Sequence, residues 1–195
     1  LTLHTPIEAD NPLTRSNDSR VHPCGALWTG TMGKDEGKGA GAIYWFFKGE
    51  LRRLFSDITV SNSICFSDDG TIAYYTDTAT GLPTGEPNIF VDHRSQKGYV
   101  DGSVVDRDGV LWNAVWGGKA VKAYSPDGML LREIPMPVTQ PSCPAFVGPN
   151  ADRLAVTSAW KGKDDKQRKL DPQAGMTFLL DIPVRGRFEP RVLIA

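Results

Sequence analysis

Asn17, Asn62 and Asp101 carry the side-chain oxygens that stand out in this sequence, because each lies eight residues ahead of a turn glycine, Gly25, Gly70 and Gly109 respectively. Ser142 stands eight ahead of Asn150 in a fourth run of similar character. Apolar residues separate the polar position from the turn in "NDSRVHPCG", "NSICFSDDG" and "DGSVVDRDG", as expected of a strand that starts polar and then enters a core. One carboxylate and two amide oxygens are hard donors suited to Ca²⁺, Mg²⁺ or Mn²⁺, whereas Zn²⁺ normally takes His or Cys. Asx residues ahead of turns also act as simple caps, but one offset repeated three times favours a shared site. Arg15, two residues before Asn17, adds a planar fork of donors, and the Asn17 amide can both donate and accept.

Bringing residues so far apart to one place requires a repeating scaffold, and the sequence contains one. Short runs rich in Val, Ile, Tyr, Trp and Thr alternate with Gly, Asp, Pro and Asn clusters, which reads as many short strands with hardly any helix. "PCGALWTGTM", "SDDGTIAYYTDT", "DRDGVLWNAVWG" and "GPNADRLAVTSAW" are versions of one motif, a tight turn entering an apolar strand. Their turn residues Gly25, Gly70, Gly109 and Asp152 are spaced by 45, 39 and 43, the period of a four-stranded propeller blade. Hairpins are expected at Lys48-Gly49 and at Pro126-Asp127-Gly128. After the second repeat, "TDTATGLPTGEPNIFVD" offers one convincing strand where two are expected, so this blade lacks a piece. The expectation is an all-β propeller, a single domain over residues 1–195 with about four recognisable blades, whose equivalent positions face one central channel.

These residues resemble the family of senescence marker protein-30 (regucalcin), gluconolactonase and their bacterial relatives. The likeness rests on Arg-x-Asn-Asp at Arg15 to Asp18, "GTM" at Gly30 to Met32, Asn62, "YYTDT" at Tyr74 to Thr78, "DG" at Asp101-Gly102 with "LW" at Leu111-Trp112, "WGG" at Trp116 to Gly118, and "VTSA" at Val156 to Ala159. It runs in order through nearly the whole chain. The resemblance implies a six-bladed propeller and a divalent-metal-dependent hydrolase of sugar lactones. It implies Asn62 and Asp101 as metal ligands, Asp101 also as a candidate catalytic base, and Arg15, Asn17 and Asp35 as substrate-binding residues. Asn17 is thereby moved from the metal to the sugar. The implied cofactor is one divalent cation, calcium first, with zinc, manganese or magnesium as alternatives.

The chain departs from the family in three places. The family's metal-binding Glu lies roughly eighty residues, two blade lengths, before the Arg-x-Asn-Asp motif, whereas fourteen residues precede Arg15 here, and Glu8 is not that residue. Ser63 replaces the glycine that usually follows the metal-binding Asn, which matters if the backbone there needs a positive φ. Val100 replaces the proline that usually precedes "DG". A calcium-binding or scaffold propeller without catalysis, or an inactive truncated copy, therefore stays open as an alternative.

Composition narrows the partners. A formal net charge of -1 with no basic stripe argues against nucleic acid and anionic membrane and favours a small molecule. The longest apolar run, around "GAIYWFF", is far shorter than the roughly 20 residues of a spanning helix. Cys24, Cys65 and Cys143 are an odd, widely spaced set, which fits reduced thiols in the cytoplasm, with Cys65 a small buried hydrophobe. The opening residues show neither a charged nor an apolar leader segment. Ser158 to Lys161 matches S-x-x-K but ends a strand, where that motif does not work. His4, His22 and His93 have no metal spacing and read as surface or turn residues, and residues 161–173 read as a solvated loop or short helix.

Overall fold

The computed structural model describes residues 4–78 and 88–194. Among the described residues, thirteen strands and one short helix follow in the order β1 (Thr14–Val21), β2 (Leu27–Gly33), β3 (Gly41–Phe47), β4 (Glu50–Ile58), β5 (Ser61–Phe66), β6 (Ala73–Asp77), β7 (Tyr99–Val105), β8 (Leu111–Trp116), β9 (Ala120–Tyr124), β10 (Leu130–Pro135), β11 (Pro141–Val147), β12 (Arg153–Ser158), α1 (Asp165–Leu170) and β13 (Phe178–Leu180). They form four antiparallel meanders, β1-β2-β3-β4, β5-β6, β7-β8-β9-β10 and β11-β12-β13. Each meander opens with one of the four sequence repeats, so the opening strand is always a sheet edge. Among the described residues no third strand joins β5 and β6. Residues 79–87 of the stretch read as a shortened blade lie outside the described residues.

The turns have the geometry that their residues require. The hairpin between β3 and β4 is the two-residue turn Lys48-Gly49, with φ of 47° and 82°, the left-handed pair that matches strand twist. In the repeats, the amides of Gly25, Gly70 and Gly109 close on the carbonyls of His22, Ser67 and Asp106, and all three glycines have positive φ. In the fourth repeat the equivalent residue is Ala151, φ 54°, whose amide closes on Gly148. The sequence reading placed it one position later, at Asp152, because the run lacks a glycine at the turn's end. Ala151 is fully buried, and that burial holds a small side chain in a conformation usually left to glycine.

The chain divides into two compact units, Leu1–Ile89 with Glu189–Ala195, and Phe90–Phe188. In the first, the faces of β1–β4 and β5–β6 enclose Ile43, Ile58, Ile64 and Phe66, flanked by Trp28, Phe55 and Tyr75. The returning C-terminal segment fastens to this unit through Leu193, whose amide donates to Gly25 and whose carbonyl accepts from Lys48. In the second, the core joins Val104, Trp112, Val121 and Ala123 to Met136, Val138, Leu154, Val156 and Val184. Trp112 Nε1 donates to the buried Asp106 carboxylate at 2.9 Å, and the same carboxylate caps the following turn by accepting from the Asp108 and Val110 amides. Residues 161–173 include α1, which begins with a capping box between Asp164 and Gln167 and buries none of its residues, so it is a solvated helix. Among the described residues no helix is long and apolar enough to cross a membrane.

Candidate functional site

All four opening strands share a defect at the same place. Register slips between Ser16 and Ser19 in β1, Asn62 and Cys65 in β5, Val100 and Ser103 in β7, and Pro141 and Cys143 in β11. Each slip inserts one residue more on the opening strand than on its partner, which is a β-bulge. Asn17, Asp101 and Ser142 lie inside their bulges and Asn62 borders its own. The eight-residue offset thus marks a repeated break in pairing that re-aims side chains. The sequence showed the offset but not its cause.

In the first unit the bulges of β1 and β5 meet. Asn17 Nδ2 donates to the Ser61 carbonyl at 2.7 Å and to Asn62 Oδ1 at 2.9 Å. A carbonyl can only accept, so the Asn17 amide orientation is fixed. Arg15 Nη1 donates to Asn17 Oδ1 and to the Ser16 carbonyl, each at 2.9 Å. At the far end, Asn62 Nδ2 donates to Thr78 Oγ1 at 2.9 Å. Arg15, Asn17, Asn62 and Thr78 therefore form one directional relay, from an exposed cation to a buried amide. Replacing Asn17 with Asp puts a carboxylate against two acceptors; about 1–3 kcal/mol of stability should be lost, read as a lower unfolding midpoint, whereas an unchanged midpoint would mean that the relay carries no weight.

Carboxylates that the sequence reading gave no role hold this relay. Asp18 Oδ2 accepts the Ile64 amide at 2.8 Å and Oδ1 accepts the Ser19 amide, so the bulge of one strand supplies the acceptor that the bulge of the next one needs. Burial pushes the Asp18 carboxyl above the usual range, against the opposing pull of those amides and of Arg20. Asp77, almost fully buried, accepts the Thr59 and Val60 amides through its two oxygens and anchors the segment that leads into Asn62. The signals were present, since Asp18 completes Arg-x-Asn-Asp and Asp77 sits in "YYTDT". Ser63 adopts φ 57°, so the position where the family usually has glycine does take the left-handed conformation. The close approach of the strands also explains Gly30, where a Cβ would sit 2.0 Å from Ser61 Oγ.

Asp35 is placed differently. It lies just past β2, on the connection that departs beside Arg15, since Arg15 pairs with Met32 and Thr14 with Gly33. Its Oδ1 accepts the Gly37 amide at 3.0 Å in a local turn. Asp101 belongs to the second unit, in the β7 bulge with Gly102. A Cβ on Gly102 would sit 2.6 Å from Cys143 Sγ and 2.8 Å from the Ser142 carbonyl, so here too neighbouring bulges touch. The structure thus joins Arg15, Asn17 and Asn62 directly and gives Asp35 a turn of its own. Asp101 occupies in the second unit the strand position that Asn17 occupies in the first.

Each unit carries oxygen donors of the kind that suits a hard cation, an amide at Asn62 in the first and a carboxylate at Asp101 in the second. Among the described residues no group of three or more His, Cys, Asp and Glu side chains is placed to hold a metal ion. Of the histidines, His22 Nε2 lies 2.9 Å from the Gly70 carbonyl, in a structural turn. Of the cysteines, Cys65 is buried, Cys143 half-buried and Cys24 exposed.

Known proteins are similar to this chain in sequence and fold. The family described as the SMP-30/Gluconolactonase/LRE-like region matches residues 1–160. A Rhizobium meliloti (strain 1021) protein provisionally named a sugar lactone lactonase is 53% identical over 193 residues, covering 93% of this chain and 66% of its own length. The L-arabinolactonase of Azospirillum brasilense is 38% identical over 197 residues, covering 89% of this chain and 61% of itself. The crystal structure of an Agrobacterium tumefaciens regucalcin, described as a calcium-binding protein, superimposes with a TM-score of 0.93 at 50% identity, over 97% of this chain and 68% of that one. The chain therefore spans about two thirds of the length of these relatives. With the matched motifs, the four repeated meanders and this likeness together, the chain belongs to the SMP-30/gluconolactonase/LRE-like family of β-propellers.

Proposed function

We propose that the protein carrying this chain hydrolyses a sugar lactone to the aldonic acid with the help of one divalent cation. The observation that carries this reading is the relay from Arg15 through Asn17 to Asn62. It places a fixed guanidinium and an amide of set orientation beside a candidate metal ligand. Arg15 spends only Nη1 on the protein, which leaves Nε and Nη2 to grip ring or carboxylate oxygens. Asn17 orients a sugar hydroxyl, and Asp35 borders the same end of the sheet. Asn62 and Asp101 are the ligands that this chain would give the cation, with calcium foremost and zinc, manganese or magnesium as alternatives.

When bound, such a cation polarises the lactone carbonyl and helps to activate water. Asp101 then either holds the cation or receives the proton of the attacking water, the second role being weaker for a carboxylate that is also a ligand. Water adds to the carbonyl carbon, the ring C–O bond breaks, and the departing oxygen takes a proton, leaving a carboxylate and one released proton. The odd, widely spaced set of cysteines fits a cytoplasmic setting.

A second reading, calcium binding without catalysis, is favoured by the description of the Agrobacterium neighbour. Proton release from a panel of aldonolactones, with EDTA and after adding back each cation, separates the two. Turnover that EDTA abolishes and a cation restores supports the lactonase. Calorimetric calcium binding with no turnover supports the second reading, and turnover indifferent to EDTA removes the cation. Arg15→Ala should raise KM about 10- to 100-fold, as the loss of a charged hydrogen bond implies, with a smaller fall in the unfolding midpoint than Asn17→Asp because Arg15 is exposed. An unchanged KM would take Arg15 out of the substrate site.

A further inference from the structure

We propose that Asn113 is a positioning residue that locks the backbone from which Asp101 projects, a role that deepens the lactonase reading and rests on it. Asn113 is a polar residue in the middle of the apolar strand "LWNAVW" and is 1% exposed. It stands on β8 opposite Ser103, at the end of the β7 bulge, where Val100 pairs with Val115 and Ser103 with Asn113. A bulge separates carbonyls from their ladder partners, and the Asn113 amide meets that need. Its Nδ2 lies 3.3 Å from the Asp101 carbonyl, 3.3 Å from the Gly102 carbonyl and 3.0 Å from Ser103 Oγ.

Two features make this more than core repair. The opposite side of the bulge is closed by Gly102, whose position admits no Cβ because Cys143 and the Ser142 carbonyl occupy the space. Asp101 is thus fixed from behind by one amide and alongside by the next strand. At the corresponding place in the first unit, Ser19 and Thr29 pair through hydroxyls 2.7 Å apart, so a threonine hydroxyl stands where the second unit has the Asn113 amide. The repeat that carries the candidate base and metal ligand is the one in which a side-chain amide lies against the bulge carbonyls. Supporting groups of this kind set the geometry of a ligand and typically change metal affinity or activity 10- to 100-fold when removed.

The test compares Asn113→Val with Ser103→Ala in the full-length protein. Val suits a strand and fills the core but cannot donate; the Ser103 variant removes the shortest contact and leaves both carbonyl contacts in place. Both variants lose stability, so the unfolding midpoint does not discriminate. Asn113→Val should speed amide hydrogen exchange at residues 101–103 at least tenfold over Ser103→Ala. It should also weaken calcium binding and lower kcat about tenfold or more, with KM within threefold. Equal exchange in the two variants overturns the clamp. Faster exchange with unchanged kcat and calcium affinity overturns its link to Asp101. If the unmutated protein neither binds calcium nor opens lactones, the lactonase reading has failed, while the exchange result still decides whether the clamp exists.

Discussion

Asp101→Ala is expected to lower kcat/KM for the best lactone by about 10³-fold, the loss of some 4 kcal/mol of transition-state stabilisation. The carboxylate contributes charge at the offset position that Asn17, Asn62 and Ser142 fill with an amide or hydroxyl in the other three repeats. Asp101→Asn keeps the shape and the oxygen donor while removing the charge, so KM should stay within a few-fold as kcat collapses. Calcium affinity, measured calorimetrically, should weaken in both variants. The bulge itself is maintained by the Asn113 amide and by the packing of Gly102, so both variants should fold. A variant that retains a tenth or more of the activity would remove Asp101 from the chemistry and leave it a structural aspartate.

The largest stability effect is expected at Asp171. Its Oδ2 accepts from the Thr139 amide and hydroxyl and lies 3.0 Å from Lys163 Nζ, with both charged side chains nearly buried, at 6% and 11% exposure. Asp171→Asn leaves the Lys163 ammonium without its counter-charge, which costs about 3–5 kcal/mol at neutral pH. Burial alone would raise the Asp171 carboxyl, but the Thr139 hydrogen bonds and the Lys163 charge outweigh it and hold the group below its ordinary 3.8. A depressed carboxyl contributes stability in full above its unfolded value and loses it as pH falls through the folded one. The gap in unfolding free energy between wild type and Asp171→Asn should therefore be constant from pH 7 to about 5, and should close below 3.8. Adding Lys163→Met should recover most of the loss. A gap independent of pH, or a double variant as unstable as the single one, would contradict the pairing.

The parts of the fold written in local chemistry were legible in the sequence. Turn glycines, the Lys48-Gly49 hairpin and the apolar runs each follow from the conformations their own residues favour, and they gave four repeats and the right strands. The relay was partly legible, because Asn17 and Asn62 share an offset that a repeating scaffold explains, and Arg15 belongs to the Arg-x-Asn-Asp motif around Asn17. The bulges were not, since an extra residue in one strand is defined by the partner strand, which local pattern does not contain. Asp18 was missed for the same reason: its chief partner, the Ile64 amide, is 46 residues away. Asn113 could have been found, because an amide inside "LWNAVW" contradicts its surroundings and a buried polar group must be satisfied.

The added residue in each opening strand also bears on how such a protein can change. Side chains alternate with a period of two along a strand, so one inserted position shifts their phase by half a cycle. The stretch before the insertion is then free of the alternation that the core imposes on the stretch after it. Residues such as Ile64, Phe66 and Val104 stay in the cores, while the positions ahead of them carry Asn, Asp or Ser from one repeat to the next. Chemistry and packing occupy separate reading frames of the same strand, and new substrate preferences can arise in one while the other stays intact.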